Sequence, residues 1–192
     1  MDTATNLSDA SDTDLMLMYR DGNLDSFNEL YKRHRTPLYR YIRNSCATEA
    51  LTSDLFQDVW SRVINGRQGY SSSSPFQSWL YRIARNRLID FYRSNQVNPV
   101  AFAEALDSES QVHQLQNPLQ PDELSELSAR RDALSAALNT LPVEQREAVL
   151  LRHIAGFNLQ EIAELVDENS ETVKSRLRYA FTKLRKQLRA LS

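Results

Sequence analysis

Apolar side chains recur three and four positions apart along nearly the whole chain, and no stretch alternates convincingly with a period of two. The pattern predicts an all-α protein. Leu15, Met18 and Tyr19 open a first helix that closes near Gly22. Phe27, Leu30, Tyr31 and His34 mark a second, expected to break or kink at Pro37 and resume through Leu38, Tyr41 and Ile42. Leu55, Val59, Trp60 and Val63 form a third stripe, stopped at Gly66. Ser74-Pro75-Phe76-Gln77 reads as a helix start, with Ser74 as cap, Pro75 in the first helical position and Gln77 completing a capping box. That helix runs to about Arg93. Further helices are predicted over 122–139, from Pro142 to near Gly156, from Asn158 with Glu161 three residues on, and from a Ser170 cap towards Leu191.

Between the two helical stretches the composition changes. Residues 95–122 contain Pro99, Pro118 and Pro121 among many Gln, Ser and Asn, which reads as a linker with a short helix near Phe102 to Leu106. The expected organisation is a unit over 10–96, an acidic linker over 97–121 and a smaller unit over 122–192. Only 4 Gly and 6 Pro occur in 192 residues, too few for the turns of a β-sandwich. A single cysteine, Cys46, excludes an intramolecular disulfide and suits a reducing compartment. No stretch approaches the roughly 20 apolar residues that span a bilayer. The acidic N-terminus lacks the basic start of a secretory signal. A cytoplasmic protein with no membrane insertion is the expectation.

The net charge is -2, from 23 Lys+Arg and 25 Asp+Glu. This balance argues at first against nucleic acid, but the charge is segregated. Residues 15–97 hold 12 basic and 7 acidic side chains, and residues 98–132 hold 2 basic and 7 acidic. From Lys174 onward there are seven cations and no acid. On the last helix Val173, Leu177, Ala180, Phe181, Leu184, Leu188 and Leu191 share one stripe. Lys174, Ser175, Arg176, Arg178, Tyr179 and Lys183 lie on the remainder. A short helix, a tight turn and a longer cationic helix form a helix-turn-helix pattern, suited to a DNA major groove. A solvated basic face is the plainer alternative.

The helix beginning near Pro75 carries Trp79, Arg82, Asn86, Asp90 and Arg93 on one face. A polar loop, Tyr70 to Ser74, precedes it and includes Ser72 and Ser73; Phe76 follows. Aromatic rings stack on unpaired bases while cations hold phosphates, so the set suits single-stranded nucleic acid and a flipped base. Equally, Trp79 can be a core residue and the arginines merely solvated. Asp54, Gln57 and Asp58 form an acidic face on the third helix, suited to docking a protein. No Cys/His metal spacing, nucleophile elbow or phosphate-binding glycine loop is present, so neither catalysis nor a cofactor is expected.

Taken together, four stretches resemble a bacterial RNA polymerase sigma factor of the extracytoplasmic-function group. Residues 25–34 with 38–42 resemble the start of sigma region two. Asp54-Leu-Phe-Gln-Asp-Val-Trp60 resembles its polymerase-clamp helix. Phe76 to Asp90 resembles the helix that reads the upstream edge of the melted minus-ten element. Leu141 to Leu151, Glu161-Ile-Ala163 and Thr172 to Leu177 resemble region four. The resemblance implies that Asp54, Gln57 and Asp58 contact the polymerase clamp, and that region four meets the flap. It implies that Tyr70, Ser72, Ser73, Phe76, Trp79, Arg82, Asn86, Asp90 and Arg93 serve the minus-ten element. Lys174, Ser175, Arg178, Tyr179 and Lys183 would then serve the minus-thirty-five element, with Arg176 on phosphate. It further implies promoter DNA as partner, an anti-sigma factor, and a monomer when free. The turn Val166-Asp-Glu-Asn-Ser170 departs from the group by lacking glycine, and Asn169 is expected to take the left-handed conformation. A stand-alone helix-turn-helix regulator is the alternative function, and its N-terminal unit would need a ligand pocket or dimer face.

Overall fold

A computed structural model describes residues 7–46, 48–94 and 133–190. All regular structure among them is helical, as the apolar spacing predicts. The chain divides into two compact units, Met1–Asn95 and Gln96–Ser192. The sequence-read linker over 97–121, its short helix, Leu191 and the first part of the helix read from Asp122 lie outside the described residues.

In the first unit α1 spans Asp12–Arg20 and is capped by Ser11, whose hydroxyl accepts from the Asp14 N–H at 3.1 Å. A turn follows at Gly22, where a φ of 107° suits only glycine well. Helix α2 spans Leu24–Arg43, capped by Asn23, and passes through Pro37 without a break. Of the break or kink read there, the break does not occur. Proline costs roughly 3 kcal/mol inside a helix, but the flanking turns bury His34, Leu38, Tyr41 and Ile42. Fully burying an apolar side chain of this size contributes about 1.5–3 kcal/mol, so packing outweighs the lost bond.

Helix α3 spans Glu49–Gly66, capped by Thr48, and buries the expected Leu55, Val59, Trp60 and Val63. One 3-10 turn, Arg67–Gly69, leads into the loop before α4, which spans Phe76–Ser94. The Trp79 N–H donates to the Pro75 carbonyl at 3.2 Å. Pro75 therefore holds the cap position itself, one residue later than the sequence reading, and Ser74 lies outside the helix. The Ser74 carbonyl instead accepts from the Tyr70 hydroxyl at 3.1 Å.

The core of this unit is Leu15, Met16, Leu30, Leu38, Tyr41, Ile42, Val59, Val63, Phe76, Leu80, Tyr81 and Ala84. Met16 takes the buried position read for Met18. The rings of Tyr41 and Tyr81 meet edge-on with centroids 5.2 Å apart, and burial pushes the Tyr81 phenol pKa up. His34 links three elements. Its Nε2 lies 2.6 Å from Asp12 Oδ2 on α1, and its ring meets Phe76 of α4 at 5.3 Å. Beside it Arg33 donates to Asp12 at 2.9 Å, to Glu29, and to the carbonyls of Leu7, Ser8 and Ala10.

The second unit contains helical residues 133–139 (α5), then α6 at Val143–His153, α7 at Leu159–Val166 and α8 at Ser170–Ala190. Leu138, Leu150, Leu151, Ile162, Ala163, Val173, Leu177, Ala180 and Leu184 form its core. Phe181, read as core from its spacing, is 37% exposed and meets the His153 ring edge-on. Among the described residues no helix is long and apolar enough to cross a membrane.

The Asp12 link gives a testable pH dependence. The His34 hydrogen bond is the main influence holding the Asp12 carboxyl below the usual range; burial opposes it and Arg33 assists. A carboxyl depressed on folding stabilises above its unfolded pKa, near 3.8, and loses that contribution as pH falls through the folded value. Asp12→Asn is expected to cost about 1–3 kcal/mol near pH 7, with a smaller difference from wild type below pH about 3. Denaturant unfolding at several pH values checks this, and a pH-independent difference would contradict it.

Candidate nucleic-acid interface

Helix α4 buries Phe76, Leu80, Tyr81, Ala84 and Leu88. One consequence of the 3.6-residue period is that Arg82, Asn86, Asp90 and Arg93 all face solvent. Trp79 is half-buried between the two faces. One side of its ring lies over Gly66, where even a methyl group would stand 3.5 Å away. The ring also meets Tyr70 at 5.3 Å and Phe76 at 6.1 Å. It also lines an open groove of about 570 Å³ with Arg62, Asn65, Gly66, Ile83, Asn86 and Arg87. Trp79 is thus partly packed, as the core reading expects, and partly open to the groove.

The loop differs from expectation. Tyr70 and Phe76 are 3% and 0% exposed, so neither ring is open to a base in this conformation. They brace the loop and Trp79 from beneath. Ser72 and Ser73 are exposed, and the Ser73 hydroxyl lies 2.7 Å from that of Ser71.

On α3 the residues Asp54 and Gln57 face solvent. Asp58 is half-exposed and engaged within the unit. Its Oδ2 accepts from Arg62 Nε at 3.3 Å and from Arg87 Nε of α4. Arg87 also lies 3.5 Å from Asp90. Sequence spacing finds the Asp58–Arg62 pair at i,i+4. The Arg87 contact spans 29 positions and has no local signal. Arg62, Asn65 and Arg87 were accordingly missed as groove residues.

In the second unit, the predicted capping box at α7 is present. Asn158 Oδ1 accepts from the Glu161 N–H at 3.0 Å, and Glu161 accepts from the Asn158 N–H at 2.7 Å. The turn into α8 is built differently from the sequence reading. Asp167, with φ 59°, takes the left-handed conformation expected of Asn169. Asn169 instead caps α8, its Oδ1 accepting from the Thr172 N–H at 2.7 Å, a role read for Ser170. Both are short polar residues whose side chains can compete for either position.

Helix α8 presents Lys174, Arg178, Tyr179 and Lys183 to solvent, with Ser175 half-buried. Tyr179 is 56% exposed, and the Arg178 guanidinium stands 5.0 Å from its ring centroid. Arg176 donates to Glu168 of the turn at 2.6 Å. Glu168 thus fixes Arg176. Lys174 lies 3.3 Å from Glu171, and Lys183 donates to the Thr140 carbonyl. A cationic, partly aromatic surface on the second helix of this pair suits phosphates and base edges of duplex DNA. The half-apolar groove beside α4 instead suits an unpaired nucleotide.

Comparisons with known proteins match the two units to two regions of one protein family. Residues 30–97 match the family described as sigma-70 region 2, and residues 131–184 match sigma-70, region 4. The RNA polymerase sigma factor CarQ of Myxococcus xanthus is 31% identical over 90% of this chain and 95% of its own. Among solved structures, CnrH, which in Cupriavidus metallidurans is an RNA polymerase sigma factor, is bound to the cytosolic domain of CnrY. It superposes with a TM-score of 0.70 at 24% identity, covering 95% of this chain and 100% of that one. The sigma factor RpoE of Bartonella quintana, in complex with the anti-sigma factor NepR, gives 0.67 at 22% identity, over 85% and 96% of the two chains.

The turn supplies a stability test. Asp167→Val places a β-branched residue at positive φ and is expected to cost about 1–2 kcal/mol, whereas Asp167→Gly is tolerated. Asn169→Ala removes the cap and costs about 1 kcal/mol. Thermal unfolding of the three variants checks the order; an Asp167→Val chain as stable as wild type would contradict the geometry.

Proposed function

Because the chain belongs to the extracytoplasmic-function sigma factors of RNA polymerase, we propose that its two units divide the work at a promoter by strand state. A sigma factor binds core RNA polymerase, confers promoter specificity and promotes the melting that starts transcription; it is an initiation factor, not an enzyme class. The proposed division is that residues 10–96 open and hold the minus-ten element, while residues 122–192 read the minus-thirty-five element as duplex. The contrast between the half-apolar Trp79 groove and the cationic face of α8 carries this reading.

In the first unit, the exposed part of Trp79 stacks on an unpaired base, and Asn86 hydrogen-bonds its edge. Arg82 and Arg93 hold the backbone, and Ser72 and Ser73 offer hydroxyls to it. Asp90 tempers the cationic face and takes part through Arg87. Tyr70 and Phe76 act as supports. In the second unit Lys174, Ser175, Arg178 and Tyr179 enter the major groove, with Lys183 on phosphate. Arg176 acts mainly by fixing the turn through Glu168. Asp54, Gln57 and Asp58 dock on the polymerase clamp, and the second unit meets the flap.

The chain performs no catalysis of its own, needs no cofactor and works in the cytoplasm, where polymerase and promoter are. It is a monomer when free. By likeness to RpoE bound to NepR, an anti-sigma factor withholds it from polymerase. The stand-alone regulator reading would leave the Trp79 groove without a task, so nothing favours it.

The division predicts separable defects. In holoenzyme assembled with core polymerase, Trp79→Ala with Asn86→Ala reduces promoter melting, measured by permanganate reactivity, by about ten-fold or more. It changes closed-complex formation little; about 1–3 kcal/mol per stacked base sets the scale. Lys174→Ala with Arg178→Ala weakens duplex recruitment instead and lowers its salt dependence. Equal effects of both pairs on both steps would overturn the division.

A further inference from the structure

The clamp-docking face and the strand-holding groove share one carboxylate. Asp58 stands on α3 beside Gln57 and one turn from Asp54, on the face assigned to polymerase. Its Oδ2 nevertheless accepts from Arg87 and Arg62, both of which line the groove beside Trp79. Arg87 is the more enclosed of the two, with 26% of its side chain exposed against 51% for Arg62. Asp90 lies 3.5 Å from the other arm of Arg87. Two arginines at a nucleotide-sized groove are thereby neutralised by two carboxylates.

We infer that Arg87 is a phosphate-binding residue of the groove, masked in the free protein by Asp58 and released when the docking partner supplies cations to that carboxylate. This inference rests on the proposed roles of the α3 face and the α4 groove. A guanidinium whose charge is already met by a carboxylate gains full charge pairing with a DNA phosphate by exchanging one anion for the other. In free protein the exchange gains little, because Asp58 would give up its more enclosed cation and keep only the more exposed Arg62. Polymerase binding changes the balance, since a cation brought to Asp58 compensates it while Arg87 turns to the phosphate. Coupling of this kind is reciprocal, so a strand held by Arg87 also frees Asp58 to grip polymerase. The arrangement makes the groove most attractive to single-stranded DNA only within the holoenzyme.

The test uses the full chain without polymerase and a fluorescent oligothymidylate of about a dozen nucleotides, followed by anisotropy across a salt series. Asp58→Asn keeps the side-chain shape and removes the competing charge. It is expected to tighten binding about five-fold and to steepen the logarithmic salt slope by roughly 0.7, the value for one phosphate on a single strand. Adding Arg87→Gln abolishes the gain. Asp54→Asn alters net charge equally without freeing Arg87, and is expected to gain less than about two-fold. The same comparison with Asp58→Ser, alongside melting temperatures, separates charge from any fold effect of asparagine. No gain in either Asp58 variant, a gain that survives Arg87→Gln, or an equal gain in Asp54→Asn overturns the inference. Failure of the underlying reading looks different: Trp79→Ala would then bind the oligonucleotide as well as wild type.

Discussion

A helix has one circumference, and α4 spends about half of it on the core. Phe76, Leu80, Tyr81, Ala84 and Leu88 are buried against the rest of the first unit, which fixes the rotation of the helix about its axis. With that rotation fixed, Arg82, Asn86 and Arg93 are directed to solvent, and Trp79 falls on the boundary. The neighbouring elements serve the same constraint. The indole packs beside Gly66 at the end of α3, Tyr70 and Phe76 back it, and His34 ties Phe76 to α2 and, through Asp12, to α1. The groove is thus held by the packing of the core beneath it.

Electrostatics adds restraint to this geometry. The chain sums to -2, yet its two units carry cationic faces. Several of those cations are already engaged: Arg87 and Arg62 with Asp58, Arg176 with Glu168, Lys174 with Glu171. Ion pairs at exposed positions contribute little to stability, but each one lowers the charge offered to a passing phosphate. Non-specific affinity grows with the number of phosphates neutralised, so internal pairing limits it. A protein that should grip promoters chiefly when polymerase holds it in place benefits from such restraint. The near-neutral total, which seems to argue against nucleic acid, is consistent with a DNA-binding role managed by local pairing.

Much of this was legible in the sequence because helices announce themselves by spacing. The stripe of Leu55, Val59, Trp60 and Val63, the Asn158–Glu161 box and the exposed set on α8 need only a 3.6-residue period. The readings that failed depended on contacts between elements or on competition among similar residues. The break read as one outcome at Pro37 is absent, because burial on both sides holds the helix together. Asp167 takes the left-handed place expected of Asn169, and Asn169 the cap expected of Ser170, because such residues can cap or turn left-handed. Phe76 and Tyr70 look like exposed aromatics beside a polar loop, and only packing reveals them as supports. The Asp58–Arg87 contact, between two separate helices, has no sequence signature at all.

The central claim is that this chain gives core polymerase both promoter choice and strand opening. Transcription of fragmented genomic DNA by core polymerase with the purified chain, followed by sequencing of transcript 5′ ends, tests it most directly. The account predicts discrete starts absent without the chain, each preceded by the same two spaced elements, the proximal one reactive to permanganate. Starts indistinguishable from those of core polymerase alone, with the chain nonetheless binding specific duplex sites by itself, would contradict it.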